Sequence, residues 1–285
     1  MTAAHDTKRG VDAGAQSMLL RCIGNIGTML VLSVRPPRVP TQQAWPISWP
    51  QLAIYVGVFI AIFAFGMVFI DAAAIGAVSH VPRWIVWCFD QITEYGKSGW
   101  FLWPLGLIFI ALAALPVSSS RTAQLVVAAA MVRIGFLFAA IALPGLFVAI
   151  VKRLIGRARP LVGGHIDPYL FHPFGWETDY ASLPSGHATT AFSILVAFGS
   201  LFPRARTILW LYALAIAVSR VMVNAHNVTD VFAGAVVGTV GALMVRRWFA
   251  QRRLGFSIGP DGMLHPWHGP SLRRLKAVAH MLRSK

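Results

Sequence analysis

The sequence predicts an all-α integral membrane protein, a six-transmembrane-helix bundle with a short interfacial helix after the first span. Three observations predict it. Of 285 residues, 56% are hydrophobic and 12% charged, against about 25% charged in an ordinary soluble domain. Six apolar runs, roughly 51–70, 99–117, 128–150, 187–202, 205–222 and 229–248, approach the about 20 residues that a helix needs to cross the hydrocarbon core. Short links join several of them and leave no room for a second domain. The chain therefore divides into a basic N-terminal tail over 1–50, a six-span core over 51–250 and a basic C-terminal tail over 251–285.

Each element has a local reason. Met18 to Val34 is apolar, but Arg21, Asn25 and two glycines interrupt it, and Pro36 and Pro37 follow. A central Arg costs roughly 2.5–3.5 kcal/mol on insertion scales, so this stretch is expected in a cytoplasmic tail. No positive-then-apolar start with a small-residue cleavage site marks a secretory signal. After the first span, Pro82 to Glu94 carries Trp84 and Trp87 on an amphipathic pattern, as a helix lying at the interface would. The links at 118–121 and 203–204 make antiparallel hairpins, because Ser118 to Ser120 favour a turn and Pro203 cannot continue a helix. Arg133 falls inside the third run, which from Thr122 is longer than one bilayer, so Arg133 reaches the cytoplasmic interface. Pro144 kinks that helix as a packing feature.

The formal charge of +15 does not indicate nucleic acid. Lys and Arg sit at the ends of apolar runs and in the tails, with no stripe interleaved with exposed aromatics. Anionic lipid accounts for them better. Cys22 and Cys88 fall on opposite sides of the membrane in this layout and form no bridge. Lys8, Arg9, Arg21, Arg35, Arg38, Arg121, Arg204, Arg206 and the run from Arg246 place both termini in the cytoplasm. Arg83, Lys97, Lys152, Arg153, Arg157, Arg159 and Arg220 then lie on the other face, against the rule, and need another reason.

That reason is chemical. Lys152 and Arg159 are seven residues apart, two helical turns on one face. Leu183-Pro184-Ser185-Gly186-His187 directly precedes the fourth span. Ser185 suits a cap, Gly186 admits a ligand close to the backbone, and free N–H groups at a helix start favour an anion. The fifth span ends in Ser219-Arg220, and His226 and Asp230 stand four apart at the start of the sixth. Their side chains stack on one face, so Asp230 is expected to accept the ring N–H and leave the other nitrogen of His226 free as a nucleophile. All three clusters converge on one membrane face. Arg153 and Arg157 read as interfacial anchors. His165 and His172 read as surface residues, and Asp167, Glu177 and Asp179 are left without an assigned role.

K-x6-RP at 152–160, PSGH at 184–187 and SR-x5-H-x3-D at 219–230 resemble the tripartite signature of the type 2 phosphatidic acid phosphatase superfamily, without departure at the defining positions. The resemblance implies a membrane lipid phosphate or pyrophosphate phosphatase. In it Lys152, Arg159, Arg220, Ser185 and Gly186 bind phosphate, and His226 attacks phosphorus to give a phosphohistidine. His187 serves as general acid and base, and Asp230 stabilises the imidazolium. Neither metal nor cofactor is expected, since Asp230 is the only carboxylate in the motifs and already has a role. The partners are a phosphorylated lipid and the bilayer. Family resemblance offers undecaprenyl pyrophosphate, phosphatidylglycerol phosphate, phosphatidic acid and lipid A phosphates as substrates. Ile92 to Trp100 looks like bacterial members, which implies a bacterial inner membrane with the site on its extracytoplasmic face. The rivals are a lipid phosphotransferase, a vanadate-dependent haloperoxidase, disfavoured by six spans, and a non-hydrolytic transporter, disfavoured by the two histidines and by the lack of a visible inverted repeat.

Overall fold

The computed structural model describes residues 3–38, 47–116, 120–259 and 262–283; Ser118 and Ser119 of the expected turn lie outside them. Ten α-helices carry the described fold: α1 (Ala3–Val34), α2 (Trp49–Phe65), α3 (Asp71–Val78), α4 (Arg83–Glu94), α5 (Gly99–Ala114), α6 (Arg121–Ile155), α7 (Gly186–Leu201), α8 (Arg206–Met222), α9 (Val228–Gln251) and α10 (Leu272–Arg283). One hairpin, β1 (Phe256–Ile258) with β2 (Leu264–Pro266), pairs antiparallel. A π-helical turn, Gly66–Ile70, joins α2 to α3. Such turns insert a residue into a helix and occur often at functional sites.

Among the described residues six helices are long and apolar enough to cross a membrane: Gln16–Val34, Trp49–Val78, Arg83–Ala114, Arg121–Ile155, Pro203–Met222 and Val228–Gln251. The membership differs from the expected six. The run at 187–202 becomes the shorter α7, at about 24 Å. Lipid does not set its length, because eleven of its residues are buried by protein. Gln16–Val34 joins the set as part of a continuous helix. Asn25, which counted against a span, donates to Ala113 O at 2.7 Å, so its amide is satisfied. Arg21 lies about 8 Å along the helix from Gln16, within snorkelling reach of an interface.

The chain forms two compact units. One comprises 1–40, 103–138 and 247–285. In it Met29 of α1 packs with Ala113, Val127 and Met131, and Phe136 meets Phe249 and Phe256 edge-on. Arg133 donates to Ala129 O and Trp267 O. Arg252 lies 3.5 Å over the Trp248 ring, and the Trp248 indole donates to Ser33 O at 2.8 Å.

The second unit comprises 41–102 and 139–246 and holds all three sequence motifs. Its central helix is α7. A Cβ on Gly234 or Gly238 of α9 would overlap the backbone carbonyl of Ser185 or Thr189, so two glycines four apart bring the helices into backbone contact. Thr189 and Ser193 hydroxyls donate across to Gly234 O and Gly238 O at 3.1 and 3.2 Å. On the other side Ala191, Phe192 and Leu195 pack with Ala213 and Ile216 of α8, and Ile92 of α4 joins them. Trp84 and Trp87 are exposed on α4, as expected of an interfacial helix. Cys22 and Cys88 are free thiols.

Candidate active site

The first motif does not stay helical. α6 ends at Ile155, and Gly156 turns the chain at φ +65°, where a Cβ would overlap His172 O. Lys152 and Arg159 therefore do not share a helix face as the seven-residue spacing suggested. Lys152 is on the last helical turn and Arg159 in an extended strip onto which the 161–183 loop is knitted. His172 N donates to Gly156 O at 2.7 Å, Ala158 N to Leu170 O at 2.9 Å, Arg159 N to Asp179 O at 2.7 Å and Ser182 N to Arg157 O at 3.0 Å. Arg153 adds bonds to the carbonyls of Trp176 and Glu177. The strip still brings Arg159 close enough for its charge to act on Lys152.

Ser185 occupies the N-cap of α7, but its hydroxyl makes no capping bond. Its N–H donates to Asp230 O at 2.9 Å, and its fully buried Oγ has no partner. A Cβ on Gly186 would meet nothing within 4 Å, so the backbone there borders open space. Arg220 is 7% exposed and is aimed by Nη1 donating to Thr93 Oγ1 of α4 at 2.6 Å. Nε of Arg220 and Nε of Arg159 are buried without partners. Buried polar atoms are rarely left unpaired, and here a hydroxyl and two guanidinium N–H groups suit the oxygens of a phosphoryl group. His187 sits half-buried beside Gly96, where a Cβ would stand 2.8 Å from His187 Cδ2, so the turn after α4 packs on the imidazole.

His226 is 5% exposed, in the turn between α8 and α9. The charges of Arg220 and Arg159, together with His187, all act on it. Burial first, then those charges, hold its imidazole well below the ordinary histidine range, which favours the neutral ring. Asp230 does not hydrogen-bond the ring directly, contrary to expectation. Oδ2 lies 3.9 Å from Nδ1, and the Ser182 hydroxyl stands between, donating to Asp230 Oδ2 at 2.6 Å and 3.3 Å from Nδ1. An Oγ whose proton goes to Asp230 has a lone pair for Nδ1–H, which leaves Nε2 unprotonated.

Behind Asp230 lies a charge network. Arg157, expected at the interface, is fully buried. It donates to Asp230 Oδ1 at 2.6 Å, Asp71 Oδ2 at 2.8 Å, Thr229 Oγ1 at 2.7 Å and, through two nitrogens, Pro168 O at 3.1 and 2.9 Å. A guanidinium with two carboxylates and a carbonyl in reach gains more there than by snorkelling. Asp71 also accepts the Thr229 N–H at 3.0 Å. His165 and His172 are exposed, as expected.

The structure thus gathers Lys152, Arg159, Ser185, Gly186, His187, Arg220, His226 and Asp230 within one unit, and it adds Asp71, Thr93, Arg157 and Ser182. Asp71 left a signal, since it is the only charged residue between Trp49 and Val78 and an intramembrane charge marks a site by default. Thr93 and Ser182 left none, because small hydroxyl residues are common in turns and at helix ends.

Residues 133–254 match the family model described as the PAP2 superfamily. Lipid A 1-phosphatase of Rhizobium johnstonii is 34% identical over 222 residues, 76% of this chain and 87% of that protein. Its counterpart in Rhizobium etli is 33% identical over 76% of this chain and 92% of its own length. Among solved structures, LpxE of Aquifex aeolicus aligns with TM-score 0.45 and 22% identity, covering 62% of this chain and 94% of its own. The first transmembrane PAP2 type phosphatidylglycerolphosphate phosphatase from Bacillus subtilis aligns with TM-score 0.41 and 19% identity, over 67% and 94%.

Proposed function

The chain belongs to the PAP2 superfamily and is a bacterial membrane lipid phosphatase, a hydrolase of phosphoric esters, and from that premise we propose that it removes a phosphate from lipid A through a phosphohistidine on His226. The substrate rests on the relatives named above. The mechanism rests on one observation: the buried His226 ring lies within the influence of Arg220, Arg159 and His187, with Ser182 and Asp230 on its Nδ1 side.

Lys152, Arg159, Arg220, the Ser185 hydroxyl and the Gly186 N–H hold the phosphoryl oxygens. Burial, then the Arg220 charge, hold the pKa of the His187 imidazole down to about 4; the entering phosphate dianion offsets that charge, so His187 takes up a proton on binding. Nε2 of His226 attacks phosphorus as the bond to the lipid oxygen breaks, and His187 gives that oxygen its proton. The positive charge gathering on the His226 ring is met by Asp230 through Ser182. Water then attacks phosphorus, His187 takes its proton, and the N–P bond breaks to release phosphate and neutral His226. Three fixed cations supply the charge stabilisation that phosphoryl transfer needs, so turnover needs no metal.

The site faces the extracytoplasmic side, where a lipid enters laterally with its tails in the bilayer, and the basic C-terminal segment stays in the cytoplasm. The test is phosphate release by purified protein in detergent with EDTA, across lipid A, undecaprenyl pyrophosphate, phosphatidylglycerol phosphate and phosphatidic acid. Release from lipid A that survives EDTA and is lost in His226→Ala and His187→Ala is expected. A new phosphate ester in place of free phosphate would make the protein a phosphotransferase, and release dependent on divalent metal would overturn the mechanism.

A further inference from the structure

The tripartite signature accounts for the groups facing phosphate, but two of the most buried charges in the catalytic unit are not among its defining positions. Asp71 and Arg157 are fully buried, and Asp71 comes from the first span, 159 positions before Asp230 in the chain. Burying three charged groups costs several kcal/mol per ion unless each is paired and bonded, so an arrangement this complete has a role to explain. Asp230 receives four donors: Arg157 Nη1 on Oδ1, and Ser182 Oγ, Asn227 N and Asn227 Nδ2 on Oδ2. A lone guanidinium against Oδ1 would cancel the Asp230 charge. Asp71 shares that guanidinium through Oδ2, so one positive and two negative groups leave a net negative charge behind the nucleophile. Asp71 also accepts the Thr229 N–H, which sets the first turn of α9, the turn that carries Asp230.

Resting on the reading of His226 as nucleophile, we propose that Asp71 and Arg157 are positioning residues of the phosphatase reaction. They aim Asp230 at Ser182 and preserve its charge for the imidazolium that develops on His226. The same guanidinium holds Pro168 O, so the placement of the 161–183 loop and the support of the nucleophile depend on one side chain. Neither residue touches substrate. Their effect falls on the chemical step and leaves phosphate binding, the task of Lys152, Arg159 and Arg220, alone.

The near-isosteric Asp71→Asn tests this in purified full-length protein, with kcat, KM, inhibition by orthovanadate and thermal unfolding measured together. A kcat loss of roughly 10- to 100-fold is expected, the usual cost of removing a partner that orients a functional histidine. KM and vanadate affinity should stay within about threefold, because interactions made only in the transition state appear in kcat. In a Ser182→Ala background Asp71→Asn should cost less than it does alone, since both act through Asp230. An unchanged kcat, or a kcat that falls together with vanadate affinity and unfolding temperature, would overturn the inference. Should Asp71→Asn not accumulate folded, Arg157→Lys keeps the charge and loses the fork. It is read the same way, with reduced kcat at retained KM expected and retained kcat overturning the proposal. A wild type inactive on every lipid phosphate would instead defeat the function on which this inference rests.

Discussion

His226 reaches its working state through what surrounds the ring. An unfolded histidine titrates at about 6.5, whereas burial and the neighbouring cations hold this one well below that. Between the two values the unfolded chain binds a proton that the folded protein refuses. The contribution of His226 to stability is therefore complete above about pH 6.5 and is lost progressively as pH falls beneath it. Nitrogen-15 NMR of the labelled imidazole should show a titration midpoint well below the ordinary value, and a midpoint at or above about 6.5 would contradict the buried, cation-flanked geometry. Ser182 is the second residue whose role is visible only in space. Ser182→Ala removes the bridge between Asp230 Oδ2 and Nδ1, and kcat should fall roughly 10- to 100-fold with KM nearly unchanged. Equal activity would mean that the ring is oriented some other way. Arg157→Leu leaves Asp71 and Asp230 buried without their guanidinium, at a cost of roughly 3–5 kcal/mol, readable as loss of folded protein in detergent.

The helices present the two histidines by close packing at glycine. Gly234 and Gly238 of α9 lie against the carbonyls of Ser185, the N-cap of α7, and of Thr189 within it, next to the turn that carries His187. The obstacle to a Cβ at Gly238 is backbone, which no rotamer change relieves. Gly238→Val is expected to destabilise by about 1–3 kcal/mol and to lower activity by parting His187 from His226; unfolding in detergent and kcat/KM read the two effects. The π-helical turn at Gly66–Ile70 does comparable work for Asp71. Gly66 stands where a Cβ would come within 2.6 Å of Thr229 Cγ2, and this close approach sets the first span against the start of α9. α4 serves the site from another side, with Thr93 bonding Arg220 and Gly96 leaving room for His187.

At the scale of the whole molecule, the number of crossings decides where the termini lie. The expected layout has six spans and both termini in the cytoplasm. α1 adds a helix whose Gln16–Val34 portion meets the length and hydropathy of a span and packs Met29 into its own unit. If α1 crosses as well as the six expected segments, seven crossings put the termini on opposite sides. A periplasm-sensitive reporter fused to each end should then read cytoplasmic at the C-terminus and extracytoplasmic at the N-terminus. Cytoplasmic signals at both ends would restore the six-span layout.

By itself the sequence determined the membrane class, the amphipathic α4, and three motifs that the fold gathers in one unit. These are legible because spans and motifs are local: apolar length follows from bilayer thickness, and the functional groups sit at fixed offsets along continuous segments. Tertiary structure alone decided that Arg157 is buried between Asp71 and Asp230, that Ser182 stands between Asp230 and His226, and that Thr93 aims Arg220. It also broke the helix between Lys152 and Arg159 at Gly156. Each depends on groups brought together from separate segments, and the energy of a buried charge is set by neighbours in space that periodicity along the chain does not encode.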